Sequence, residues 1–193
     1  AMDIVTQEIK IFTKEECEFA YRESIFKGRL KGRYVITSVT FRLTTAHHKI
    51  NTSYGDIAAE LTKQGITVPT IKDVSNAVTA IRQSKLPNPK ELGNSGSFFK
   101  NPIITAEEFE KVYIQHPQMP HYTISDTEVK VPAGWLIEQS GFKGKRYGDA
   151  GVHAKQALVL VNYGNATGQE ILELSKKIQE TVFKNFGIRV EAE

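Results

Sequence analysis

The chain has 193 residues, 40% of them hydrophobic and 24% charged, with a formal net charge of +3 and one cysteine. That length suits one fair-sized domain or two small ones with ample chain for a core, and the weak positive balance permits an anionic small ligand while arguing against a nucleic-acid binder's dense basic face. A lone Cys17 cannot form an internal disulfide, no C-x-x-C or H-x-x-x-H spacing signals a metal, and no apolar run approaches the roughly 20 residues that cross a bilayer. An intracellular, metal-free protein is the default expectation. Ala1-Met2 reads as a tag remnant and Glu193 falls in what reads as mid-strand, so a piece of something longer is expected.

Residues 3–12, DIVTQEIKIF, alternate enough to predict a strand, and Thr13 with Glu16 carries the capping-box signature of a short helix. CEFAYRESIFK (17–27) mixes aromatics with Arg22, Glu23 and Lys27, so the arginine beside Tyr21 is either held against packed rings or is a solvated charge at a helix end. RYVITSVTFRL (33–43) puts Val35, Thr37, Val39, Phe41 and Leu43 on one side, the strongest strand signal in the chain. The polar TTAHHKINTS (44–53) predicts a boundary between two substructures. Its adjacent His47 and His48 read as linker residues rather than metal ligands, because neighbours on a regular element point apart. Tyr54-Gly55-Asp56 opens a helix with Ile57 and Leu61 on one face and Gly65 at its end. Asp73 is expected to cap a second helix, with Val74, Ala77, Val78 and Ile81 at i, i+3, i+4, i+7 and Arg82 and Lys85 in its last turn before Pro87.

The segment GNSGSFFKNP (93–102) offers glycines that tolerate positive φ and donors on Asn94, Ser95, Ser97, Lys100 and Asn101 that could converge on an anion or a reacting carbon. The same composition suits a surface turn whose Phe98 and Phe99 plug the core, and both readings stand. Its spacing is neither a phosphate loop nor a hydrolase elbow. Beyond it, Thr105 and Glu108 predict a capped helix to about His116, residues 121–132 a strand and turn, and residues 133–144 a short buried helix with Trp135 in the core. Residues 145–155 read as a loop and 156–163 as an apolar strand. Thr167 to Glu170 caps a last helix with Ile171, Leu174, Ile178 and Val182 as its buried stripe, Gly187 ends it, and 188–193 begins a strand. The irregular interleaving argues for an α+β fold.

Taken together, YRESIFK (21–27), YGD (54–56), IRQSKLPNP (81–89), GNSGSFFKNP (93–102), AGWLIEQSGFKG (133–144), HAKQALVLVN (153–162) and FGIRVEAE (186–193) resemble the UDP-N-acetylenolpyruvoylglucosamine reductases, the MurB family. The resemblance runs from about residue 3 to the last residue. It implies the tail of a FAD-binding, PCMH-type domain over 1–46, followed over 47–193 by the family's C-terminal substrate-binding domain, a small antiparallel sheet with packed helices. It implies a cytoplasmic flavoprotein in which NADPH reduces FAD and the flavin reduces the enolpyruvyl ether of UDP-N-acetylglucosamine enolpyruvate to UDP-N-acetylmuramate, a step of peptidoglycan synthesis.

By the same resemblance, the family's proton-donating serine falls on Ser97, its enolate-stabilising arginine on Arg22 and its catalytic glutamate on Glu193. Positions used for the UDP-sugar fall on Tyr54, Lys85, Asn101, Tyr122, Lys143 and Gln156, with Arg82 a weaker candidate, and Tyr21 and Arg22 lie near the flavin. The glycine-rich half that holds the FAD pyrophosphate in the family, and the strand after the glutamate, have no counterpart among these residues. The chain alone is therefore expected to be colourless and inactive as a reductase. The alternative is a stand-alone UDP-sugar binding module without redox activity. Against it, a pure binder has no use for a proton donor beside charge-stabilising partners. Oligomeric state stays open, with a monomer as the default.

Overall fold

The computed structural model describes residues 1–193, which form two compact units, Ala1–Lys49 and Ile50–Glu193. The fold is α+β, with small antiparallel sheets and five helices.

In the first unit, β1 (Met2–Asp3) pairs antiparallel with β2 (Tyr34–Val35). The strand expected over 3–12 does not form. The Asp3 carboxylate accepts from the amides of Val5 at 2.9 Å and Thr6 at 3.3 Å, Gln7 takes φ 59°, and the chain doubles back so that Ile9 bridges Met2. A short acidic side chain that satisfies nearby amides competes with the ladder in this way. The Thr13–Glu16 capping box forms in both directions, yet Glu18 at φ 50° halts the coil, and the expected helix is only a run of turns. The strand expected over 33–43 is also corrected: only Tyr34 and Val35 pair, while Phe41 and Leu43 stand 74% and 80% exposed. Alternation tells which side a residue would face, but a ladder needs a partner, and two residues of β1 supply all that pairs here. Phe12, Phe26 and Tyr34 make an edge-to-face triad with centroids 5.0 to 6.3 Å apart.

Asp3 is buried and takes Arg33 Nε at 3.0 Å. The Val5 amide first, and then the Arg33 guanidinium, hold its carboxyl below the usual value despite burial. The folded state therefore favours the ionised form. That contribution is present at neutral pH and is lost as the pH falls through the lowered pKa. Asp3→Asn is expected to lower the urea midpoint at pH 7, with the gap to wild type narrowing below the ordinary carboxylate range of about 3.5–4.3. A gap independent of pH would overturn the assignment.

The second unit begins with a helix pair, α1 (Ile57–Lys63) and α2 (Ile71–Lys85), closed by Ile57, Leu61 and Ala77 with Val74, Val78 and Ile81 around them. Thr70, not Asp73, is the N-cap of α2. Its hydroxyl accepts from the Asp73 amide, and the Asp73 carboxylate returns a bond to the Thr70 amide at 2.8 Å. The elements that follow are β3 (Gly93–Ser97), β4 (Phe99–Lys100), β5 (Ile103–Thr105), α3 (Ala106–Tyr113), β6 (Tyr122–Thr123), β7 (Glu128–Lys130) and α4 (Ala133–Gln139). They continue with β8 (Arg146–Tyr147), β9 (Ala150–Val152), β10 (Val159–Asn162), α5 (Gly168–Phe186) and β11 (Glu191–Ala192).

Three antiparallel sheets result, in the orders β3-β10-β9-β8, β5-β7-β6 and β11-β4. The stretch 145–155, expected as a loop, is the β8–β9 hairpin, which turns at Gly148 (φ 60°) and Asp149. Helix α5 keeps both predicted ends: Thr167 and Glu170 make its capping box, and Gly187 closes it at φ 68°. Its Leu174, Ile178 and Val182 pack on Leu136 and Ile137 of α4 and on Val152 and Leu160 of the sheet. Trp135 lies only partly buried at the margin of that core, beside His116 and Phe186.

Candidate functional site

Ser97 ends β3, which is an edge strand rather than the turn that glycine content suggests. Asn94 stands opposite Val161 and Ser97 opposite Val159, so Ser95 and Gly96 together face the single residue Leu160. This is a β-bulge, and Gly96 makes it by adopting φ 80°. In an unbroken strand Ser97 and Phe99 would share a face. Here the ladder breaks between them at Phe98, and Ser97 is exposed while Phe99 is 1% exposed in the core.

Strand β11 brings the chain's last residues to the same place. Ala192 stands opposite Phe99 and Glu191 opposite Lys100, whose ammonium lies 2.6 Å from the Glu191 carboxylate. The Glu193 amide donates to the Phe98 carbonyl at 2.9 Å. Glu193 is thereby tied to the residue next to Ser97.

A second line of contacts reaches Ser97 from the helix pair. The Lys85 ammonium sits on the Asp56 carboxylate, two residues beyond Tyr54, which is 83% exposed. An ion pair open to water on both sides is worth only about 0–1 kcal/mol, so a diphosphate could take the lysine over at little cost. Two residues after Lys85, the Pro87 carbonyl accepts from Asn94 Nδ2 at 3.2 Å. The same nitrogen donates to Leu92 O at 2.8 Å, and Asn94 Oδ1 accepts from the Gly96 amide at 3.1 Å. Asp56 thus holds Lys85 two residues from Tyr54, and Asn94 joins Pro87, two residues past Lys85, to Gly96, the residue before Ser97.

A third group gathers along α4. Asn101 Oδ1 accepts from the Ala133 amide at 2.9 Å. Gln156 Oε1 lies 3.4 Å from where a Cβ on Gly134 would stand, so that glycine leaves the amide room. One turn further along that side, Glu138 holds the Lys143 ammonium at 2.9 Å. Tyr122 pairs with Lys130, whose ammonium lies 5.4 Å from the ring centroid. Three residues before Gln156, His153 has its Nδ1 buried without a hydrogen-bond partner. Burial first, and then the Lys155 charge, push its pKa down.

Tyr21 and Arg22 belong to the first unit. They form the tip of a tight turn closed by reciprocal Ala20–Glu23 backbone bonds of 3.1 and 3.3 Å. Arg22 sits at φ 57°, a conformation that costs a non-glycine residue about 1–2 kcal/mol, and Lys27 Nζ donates to its carbonyl at 3.1 Å. A guanidinium and a phenol ring, both exposed at a turn tip, suit one edge of a flat, partly anionic cofactor such as a flavin. Arg82 is exposed on α2. Sequence reasoning missed Asp56, Lys130 and Gly134, and no local signal marks them. Asn94 reads only as one more donor until its three bonds are seen.

Residues 88–193, more than half of the chain, match the family described as UDP-N-acetylenolpyruvoylglucosamine reductase, C-terminal domain. The chain is 68% identical, over its whole length and 57% of the relative's, to the UDP-N-acetylenolpyruvoylglucosamine reductase of Flavobacterium johnsoniae. It is 51% identical, over 96% of its length and 54% of the relative's, to that of Chromobacterium violaceum. It thus spans about half the length of these curated relatives. The crystal structure of UDP-N-acetylenolpyruvylglucosamine reductase (MurB) from Thermus caldophilus overlaps 63% of this chain and 32% of its own at 24% identity, with a TM-score of 0.38, too loose to bear on the fold.

Proposed function

Because the chain belongs to the UDP-N-acetylenolpyruvoylglucosamine reductase family, we propose that it forms the substrate-binding and proton-donating part of a reductase that converts UDP-N-acetylglucosamine enolpyruvate to UDP-N-acetylmuramate in the cytoplasm. NADPH is the reductant and FAD the cofactor. Residues 1–46 are the end of the FAD-binding domain and 47–193 the substrate-binding domain. The observation that carries this reading is the meeting of three lines around Ser97: strand β3, which ends on it exposed after the Gly96 bulge, the Glu193 amide on the Phe98 carbonyl, and the Asn94 bond to the Pro87 carbonyl two residues beyond Lys85.

The reduced flavin, when bound, supplies a hydride to the methylene carbon of the enolpyruvyl group. Negative charge then spreads over the neighbouring carbon and its carboxylate, and that carbon must take a proton. Ser97 gives up its hydroxyl proton to it. A serine hydroxyl is a poor acid, so the resulting alkoxide needs nearby donors or cations, or prompt reprotonation. Arg22 stabilises the enolate oxygens with a charge-assisted fork. Glu193, whose amide donates to the Phe98 carbonyl, is the flanking catalytic carboxylate of this proposal. Tyr21 and Arg22 would hold the flavin edge. Lys85 and Lys143 bind the diphosphate as point charges, while Tyr54, Asn101, Tyr122 and Gln156 supply hydroxyl and amide groups for the remaining phosphate and uridine atoms.

Calorimetric titration of this chain with UDP-N-acetylglucosamine enolpyruvate tests the binding half. Lys85→Ala removes a charge-assisted contact and should weaken affinity about 10- to 100-fold, and Tyr54→Phe removes one hydroxyl and should weaken it about 2- to 10-fold. Unchanged affinity in both variants would remove these residues from the site.

A further inference from the structure

We infer that Asn94 is a positioning residue that sets the register of Ser97 and the placement of Lys85 at the same time. The inference rests on the proposed roles of Ser97 and Lys85 and adds to them a part of the fold on which both depend.

Asn94 is partly buried at the start of the bulge and uses its whole amide. Its Oδ1 takes the Gly96 amide at 3.1 Å, which fixes the left-handed residue immediately before Ser97. Its Nδ2 bridges the carbonyls of Pro87 and Leu92, at 3.2 and 2.8 Å, and so fastens the segment that carries the end of α2 and Lys85 to the strand that carries Ser97. The orientation of the amide follows from its partners. The reversed amide would set its nitrogen against an N–H and its oxygen against two carbonyls. Donor and acceptor thus have separate duties, one toward the lysine and one toward the serine.

That separation makes the inference testable in the full-length protein. Asn94→Asp keeps an acceptor for Gly96 but loses both donors. It should raise KM for the UDP-sugar about tenfold while leaving kcat within about twofold of wild type. Asn94→Ala loses everything, so kcat for substrate reduction should fall about 10- to 100-fold in addition. Flavin reduction by NADPH should be unchanged in both. Hydrogen exchange at the Gly96 amide should stay slow in Asn94→Asp and quicken in Asn94→Ala, a readout independent of turnover. Equal kcat loss in the two variants, or a wild-type kcat and KM in Asn94→Ala, would overturn the inference. Ser97→Ala and Lys85→Ala measured alongside separate the levels. If they are impaired while the Asn94 variants are not, only the positioning role fails. If they are themselves neutral, the site assignment fails and takes the inference with it.

Discussion

Replacing Ser97 by alanine in the full-length protein should leave NADPH oxidation by the flavin at its normal rate and slow reduction of the enolpyruvyl sugar by about 10²- to 10⁴-fold. That is the span a positioned general acid contributes. The asymmetry is the point of the experiment. In the proposed mechanism Ser97 would deliver a proton only after hydride transfer to the sugar, so a loss confined to the second half-reaction identifies the donor, whereas equal loss in both half-reactions would refute the role. Stability should be unaffected. The residue is exposed, the bulge before it depends on Gly96, and surface substitutions away from special features change folding by less than about 0.5 kcal/mol. Rapid-mixing absorbance of the flavin band resolves the two half-reactions.

Phe99→Ala should do the reverse, costing about 3–5 kcal/mol of folding free energy without touching the chemistry directly. Phe99 is 1% exposed within the main core and packs edge-to-face on Phe98 at 5.2 Å. Its backbone is half of the β4–β11 ladder, so the cavity left by the ring lies directly beneath the strand pair that brings Glu193 toward Ser97. Against a total stability of roughly 5–15 kcal/mol, such a loss consumes much of the margin. Urea unfolding followed by circular dichroism measures it, and a loss under about 1 kcal/mol would mean that the ring is not a core anchor. With Ser97→Ala, the pair of variants would separate the residue proposed to carry chemistry from the one that carries the fold.

Much of the helical architecture was legible in the chain. The Thr-x-x-Glu spacings at 105–108 and 167–170 mark real capping boxes, and the apolar stripe of α5 is the face it buries. These are local devices, complete within a few residues. The cap expected at Asp73 lies three positions earlier, at Thr70, because either end of a capping box looks like a cap until the reciprocal bonds are seen. Strands fared worse because pairing is not local. The clean alternation at 33–43 found no ladder beyond Val35, while the glycine-rich segments at 93–97 and 146–152, which read as turn and loop, proved to be paired strands. The family resemblance of seven sequence blocks proposes the candidate site residues. Sequence could not disclose how they are joined, since Asp56 meets Lys85 across 29 positions and Asn94 meets Pro87 across a turn.

The bulge at Gly96 has a second effect, on association between molecules. Strand β3 lies at the rim of its sheet, where a straight, evenly paired border offers a template on which another chain can stack. The kink interrupts that border and adds local twist, which makes the rim a poor seed for end-to-end growth. A single residue without a side chain thus shapes the approach to Ser97 and also breaks the border on which a second strand could pair.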